Sequence, residues 1–417
     1  MSADFARDVI ARWSDPDPKY VPLLRQGGVT TVVTEGAPEA FASACQQAGI
    51  KIVPAANVRT AGYAEWSDAP ASATLALKDG LWPGITQQPT VDGRGDETAS
   101  ASREPWIDAN GFWTECLRAA YPSRPALLGY LPPENSDRMI PFDTLELALI
   151  EARVSGGNYL LALESRYRTA LLAGDAKATA AWQQLGRTAK WLEAHSKLFG
   201  HPVIPAITQL VDEGEASAEI ANLMYRRNAS PQLVHCARPP APDPENRRAV
   251  VAVELKAMEG PLKEKLLAHA RAGSSVITGP EFPEASWKVE RKEEDRNFYK
   301  MGNGWVVAYH EAVADPSEFS LDVIDVITHA RRAVRLWNAN TVIPIATRPP
   351  QGGALIHVIN YGAPVDREFP ARVAGHYNKA TLLRPEQPPL ELRPAKRGVT
   401  TEVVLPELHR LGVVVLS

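Results

Sequence analysis

The chain has 417 residues, roughly 2.8 times a typical domain of about 150, so two or three domains are expected and a single small module is excluded. A hydrophobic fraction of 45% and a charged fraction of 23% are those of an ordinary globular protein and exclude wholesale disorder. With 45 Lys and Arg against 49 Asp and Glu the net charge is −4, which offers no global positive field to nucleic acid or an anionic membrane.

The N-terminus, MSADFARDVIARW, carries Asp4, Arg7 and Asp8 where a signal peptide needs an apolar core. No later stretch approaches about 18 uncharged apolar residues. As written the chain reads as soluble and cytoplasmic, or periplasmic or secreted if a leader was removed. Val29 to Thr34 is a β-branched run after Gly27 and Gly28; PEAFASACQQAG has helical periodicity; Ile50 to Ala55 is apolar again. Strand, helix and strand in so compact a unit imply parallel pairing.

The same grammar repeats, with strands at 73–78, 125–131 and 158–163 and helices at 109–120 and 143–155, the latter opened by Asp143 and stopped by Gly156 and Gly157. A long helix from Ala176 to Leu198 follows, with Trp182, Leu185, Ala189, Leu192 and Leu198 on one face. Five strands fit either an open doubly wound sheet or a reduced TIM-like (β/α) barrel, since a full eight-unit barrel takes about 250 residues. The barrel is favoured because long polar and aromatic connections follow strand C-termini, above all Asp79 to Asn110.

From Pro202 the pattern restarts: strands at 203–208, 231–236, 249–255 and 274–279, helices at 217–228 and 261–273. This predicts a flavodoxin-like α/β domain. No GxGxxG or Walker sequence opens its helices, so no cofactor is expected. The charge run at 288–296 reads as a solvated face or hairpin tip. A helix from Ser317 through Leu336 leads into short runs, TVIPIAT, ALIHVINYG, ARVAG, KATLLRP, TEVVLP and GVVVLS, that predict an antiparallel β-sandwich. Domain boundaries fall at 1–200, 201–315 and 316–417. Pro-rich stretches such as 384–394 read as connections.

The order of barrel, flavodoxin-like domain and sandwich resembles the three-domain plan of family 42 β-galactosidases and related glycosyl hydrolases. The features that carry it are GGNYLLAL before a Trp-containing helix, an α/β domain without a cofactor motif, and ALIHVINYG. The Asn-Glu pair that this family carries at a strand end is not matched. The resemblance implies hydrolysis of a plant or microbial saccharide.

Glycoside hydrolysis uses two carboxyl groups flanking the sugar. Acids follow four expected strands: Glu35, Asp79, Glu134 in GYLPPEN and Glu164 in YLLALES. In a barrel all four face one rim. Glu134 and Glu164 are the expected catalytic pair because their strands are neighbours in sequence. Asp79, Trp82, Trp106 and Asp108 are expected to bind substrate, the rings by stacking on sugar faces; Trp82 and Trp106 read equally as loop anchors, Asp108 as a helix cap, and Trp113 as core. Each acid also has a plainer reading as a helix N-cap or surface ion pair.

No HExxH or CxxC spacing appears, so no metal is expected, and Cys45, Cys116 and Cys236 read as buried apolar residues. Two other readings compete: a barrel that binds saccharide or acts as a scaffold without catalysis, and a hydrolase or amidotransferase-like middle domain. The last needs a Cys–His pair, and His235 and Cys236, adjacent on a strand, point to opposite faces. The oligomeric state stays open, a homo-oligomer included.

Overall fold

The structure, a computed structural model, describes residues 3–70, 72–86, 106–130, 140–242, 248–256, 258, 260–328 and 331–417. The first unit carries strands β1 (Ile10–Arg12), β2 (Thr31–Thr34), β3 (Lys51–Pro54), β4 (Val58–Ala61), β5 (Thr74–Leu77), β6 (Gly84–Thr86), β7 (Trp106–Asp108), β8 (Leu127–Leu128) and β9 (Asn158–Ala162). Its helices are α1 (Val21–Gln26), α2 (Glu39–Gln47), α3 (Gly111–Ala120), α4 (Thr144–Val154), α5 (Ser165–Leu172) and α6 (Ala176–Ala194). Seven strands pair in parallel in the order β3-β2-β1-β9-β8-β5-β4.

The two outer strands of that order, β3 and β4, are consecutive in the chain and joined by the 3-10 turn Ala55–Asn57. One bent stave thus partners β2 with its first half and β5 with its second. Among the described residues the seven strands therefore make six staves in sequence order, the arrangement of a TIM-like barrel with fewer than its usual eight. The interior confirms the curl. Ile10, Val33, Val58, Ala76, Leu127 and Leu160 form one buried cluster, with Val53 packed against it, so every stave sends an aliphatic side chain inward. Alternate residues, Ala11, Val32, Leu75, Leu77, Leu128 and Leu161, pack outward into the helical layer.

Two of the barrel's seven strands were not legible. β1 has three residues between Asp8 and the polar mouth, yet it is central, pairing with both β2 and β9. Its charged neighbour plugs the barrel's N-terminal end: the Asp8 carboxylate accepts from Lys51 Nζ at 2.9 Å and Thr31 Oγ1 at 2.7 Å. β4 was missed because Val58 to Ala61 follows β3 without a helix between.

The second unit has β10 (Ile207–Val211), α7 (Glu215–Arg226), β11 (Gln232–His235), β12 (Ala249–Ala252), α8 (Pro261–Ala272), β13 (Ser275–Thr278), β14 (Arg291–Lys292), β15 (Arg296–Met301), β16 (Gly304–Tyr309) and α9 (Pro316–Ile327). Its order is β11-β10-β12-β13-β16-β15-β14, parallel through β16 and antiparallel beyond. Helices α7 and α9 cover one face and α8 the other. The strand expected at 203–208 starts instead at Ile207; Val203 bridges to Thr347 of the third unit. The charge run at 288–296 holds β14 and the turn into β15, a hairpin tip as expected.

The expected helix from Ser317 to Leu336 stops at Ile327, where Thr328 takes φ 65°, and Val334–Leu336 is strand β17. Then come β18 (Val342–Thr347), β19 (Ala354–Asn360), β20 (Phe369–Ala374), β21 (Ala380–Arg384), β22 (Gln387–Leu392), β23 (Ala395–Arg397), β24 (Thr400–Leu405) and β25 (Leu411–Leu416). They form antiparallel sheets β17-β20-β24-β23 and β18-β19-β25-β21-β22, packed as a sandwich around Ile356, Val358, Phe369, Val373, Val403 and Val414. The stretch expected as a Pro-rich connection contains β22, an edge strand, where Pro388 and Pro389 cost no central ladder bonds. β19 is buried along its whole length, because its second face packs on the barrel unit through Leu355 and Ile359.

A buried carboxylate joins these units. Glu151 on α4 is 0% exposed and accepts hydrogen bonds from Asn110 N at 2.8 Å, Asn110 Nδ2 at 2.7 Å and the Tyr361 hydroxyl, just beyond β19, at 3.0 Å. Burial pushes its carboxyl up from 4.5 to about 7, against the pull of these hydrogen bonds. Folding thus favours the protonated form. Its contribution to stability is full below about pH 4.5 and fades as pH rises through about 7. Denaturant melts across that window should show wild type losing stability with pH and Glu151→Gln responding less; equal slopes would refute the assignment.

Trp182 on α6 is fully buried and donates from Nε1 to Leu23 O at 2.7 Å, while the Cβ-free Gly27 lets its ring pass. Trp182→Ala should cost about 3 to 5 kcal/mol in unfolding free energy, the scale of an aromatic removed from a packed core.

Candidate active site at the C-terminal rim of the barrel

Because the staves are parallel, the residues after each strand share one end. Inward-facing Ile10 puts Arg12, two residues on, into the mouth. There Arg12 Nη2 donates to Thr60 Oγ1 at 3.1 Å; its buried Nε has no partner among the described residues. Beside it, Asp15 holds Arg168 through two hydrogen bonds, 2.6 Å to Nε and 2.5 Å to Nη2.

Glu164, two residues after the end of β9, is the N-cap of α5. Its Oε1 accepts from Arg166 N at 2.9 Å and its Oε2 from Tyr167 N at 3.0 Å. Those two orphan donors of the helix start are thereby satisfied. Asp79, after β5, is half-buried and accepts from Tyr63 N at 2.5 Å, holding the turn that follows β4. Glu134 lies outside the described residues, so no separation from Glu164 follows.

The aromatic candidates separate. Trp82 is 7% exposed, set edge-on against Tyr130 with centroids 5.6 Å apart, so its ring is a wall of the loop rather than an open face. Trp106, in β7, which pairs antiparallel with β6, is partly exposed and carries the Arg226 guanidinium of α7 over its ring. Trp113 packs with Tyr63 and Phe112 in the core. Asp108 is 5% exposed and lies in β7; the cap position of α3 belongs to Asn110. Burial lowers Arg226 to about 10, with Asp108 and then Glu219 opposing, so Trp106 and Asp108 both lie near Arg226.

Strand-end reasoning missed Asn110 and Glu151. The Asn110 side chain clasps Leu81 through its N–H (2.7 Å) and carbonyl (2.8 Å) and reaches the Tyr130 hydroxyl at 3.1 Å. It fixes Leu81 and Tyr130 onto Glu151. The available signal was a pair of acids, Glu146 and Glu151, inside the otherwise apolar TLELALIEARV. A glutamate inside a buried helix needs partners. Among the described residues no three His, Cys, Asp or Glu side chains gather as a metal site, and no helix is long and apolar enough to cross a membrane.

No protein-family model matches the sequence. No curated protein matches it either. Solved structures do match in three dimensions. A catalytic mutant of a family 42 β-galactosidase from G. stearothermophilus superposes with TM-score 0.50 at 10% identity, over 91% of this chain and 66% of that one. The β-galactosidase of Bacillus circulans sp. alkalophilus gives 0.51 at 9%, over 91% and 65%. An α-L-fucosidase isoenzyme from Paenibacillus thiaminolyticus gives 0.50 at 9%, over 96% of each chain. The chain thus spans about two thirds of the length of these β-galactosidases. At such identities the likeness is one of fold: this chain has the TIM-like barrel and β-rich architecture found in glycoside hydrolases.

Proposed function

We propose that the chain is a glycoside hydrolase that takes a plant or microbial oligosaccharide at the C-terminal mouth of its barrel. The observation that supports this is the parallel pairing of β2, β1, β9, β8, β5 and β4, since the segments that end such strands, here with Arg12, Asp79 and Glu164, belong to one end of a barrel. In this reading Glu134 protonates the leaving oxygen and Glu164 is the ionised partner, nucleophile or base. One backbone N–H on each Glu164 oxygen leaves further lone pairs free, because a carboxylate has about four acceptor sites. Asp79 and Asp108 accept from sugar hydroxyls, and Trp82 and Trp106 border the site. The β11-β10-β12-β13-β16 order supports reading the second unit as flavodoxin-like.

One observation favours a second reading, saccharide binding without catalysis. Glu164 and Asp79 both serve local structure, one as a helix cap and one as a turn anchor.

The two separate in one experiment. Hydrolysis predicts release of reducing sugar from an aryl-glycoside or oligosaccharide panel, falling at least about 10²-fold in Glu134→Gln and in Glu164→Gln. Binding alone predicts a melting temperature raised by a saccharide, no turnover, and melting of Glu134→Gln like that of wild type. Turnover that survives both substitutions would remove the carboxylate pair from the mechanism.

A further inference from the structure

At the opposite, N-terminal end of the barrel lies a cavity of about 850 Å³. It is walled by the N-terminal turn, the C-terminal ends of α4 and α6, and the segment 196–200. The size is within the range of small-ligand sites, about 300 to 1,000 Å³. Its floor is apolar, with Leu149, Leu192 and Phe199, and its polar lining is mainly cationic, with Arg7, Arg153, Lys190 and Lys197.

The charges do not cancel. Of the two lining carboxylates, Asp8 is committed to Lys51 at 2.9 Å, to Thr31 and to Asp4 N. That leaves Glu193 against four cations. Arg153, which reaches the cavity from α4, meets no carboxylate within ion-pair distance among the described residues. Its guanidinium donates only to main-chain oxygens, from Nη1 to Ala6 O at 2.7 Å and from Nη2 to Arg7 O and, at 3.2 Å, Asp8 O. These bonds fix the plane of the guanidinium. Nε has no partner there, so a donor remains for an incoming anion. A half-buried cation whose hydrogen bonds all go to main-chain oxygens, with Glu193, Asp4 and Asp8 acting on it only from a distance, gains from a directly bound charged acceptor.

We propose that this cavity binds a small organic anion with an apolar body, an alkyl or aryl carboxylate or phosphate, its head on Arg153 between Lys190 and Lys197 and its tail over Leu149, Leu192 and Phe199. The site is separate from the saccharide mouth and does not depend on that reading.

The test is calorimetry and thermal melting of the full chain with decanoate and octyl phosphate. Octanol and inorganic phosphate serve as tail-only and head-only controls. The expected result is binding and a raised melting temperature with decanoate or octyl phosphate and with neither control. Affinity should weaken at least about tenfold when the two exposed lysines are changed together, Lys190→Gln with Lys197→Gln. Arg153→Gln should abolish binding; should it fail to fold, the double lysine variant carries the test, since both side chains lie at the surface. Absence of binding by both amphiphiles, equal binding of octanol, or undiminished affinity in the lysine variant would each overturn the proposal.

Discussion

The bore of the barrel is the constraint on which the rest depends. Six aliphatic side chains, Ile10, Val33, Val58, Ala76, Leu127 and Leu160, fill it from six staves. With so few staves the interior has no room to spare: a Cβ on Gly129 would come within 2.8 Å of that of Ala76. Polar chemistry is confined to the two ends, where the inward-facing positions turn from Ile10 to Arg12 at one end and the Asp8–Lys51 pair closes the other.

Much of this was legible in the sequence. Continuous apolar runs at 29–34, 73–78 and 158–163 gave parallel strands, because both faces of such strands are covered, and the short runs after residue 340 gave a sandwich. β1 stayed hidden because a three-residue strand between charges has no period to detect, and tertiary pairing on both edges supplied what local pattern lacked. The helix expected to reach Leu336 ends at Ile327 because Thr328 turns left-handed, which the apolar spacing does not encode. In β22, prolines that announce a turn are tolerated at a sheet edge.

The candidate site was legible in position more than in duty. Parallel strands in sequence order bring their following segments to one rim, which is why acids at strand ends were sought there. What each carboxylate does there depends on backbone donors that no spacing reveals: Arg166 and Tyr167 for Glu164, Tyr63 for Asp79. Trp82 is buried with its ring roughly perpendicular to that of Tyr130. Conversely Glu151, unremarkable within a helix, gathers Asn110 and Tyr361 and so ties the loop of Leu81 to the sandwich. The third unit thus supports the rim through a buried hydrogen-bond network, and such networks lose more than one bond when one member is removed.

The central claim is that saccharide is met at the C-terminal mouth of the barrel. Amide hydrogen exchange of the full chain, with and without a saturating oligosaccharide from the panel, tests it most directly. The account predicts slowed exchange in the segments that follow β1, β5 and β9, around Arg12 to Asp15, Asp79 to Trp82 and Glu164 to Arg168, with the sandwich and the N-terminal end of the barrel unchanged. Protection confined to the second unit, to the sandwich or to the N-terminal cavity would contradict it.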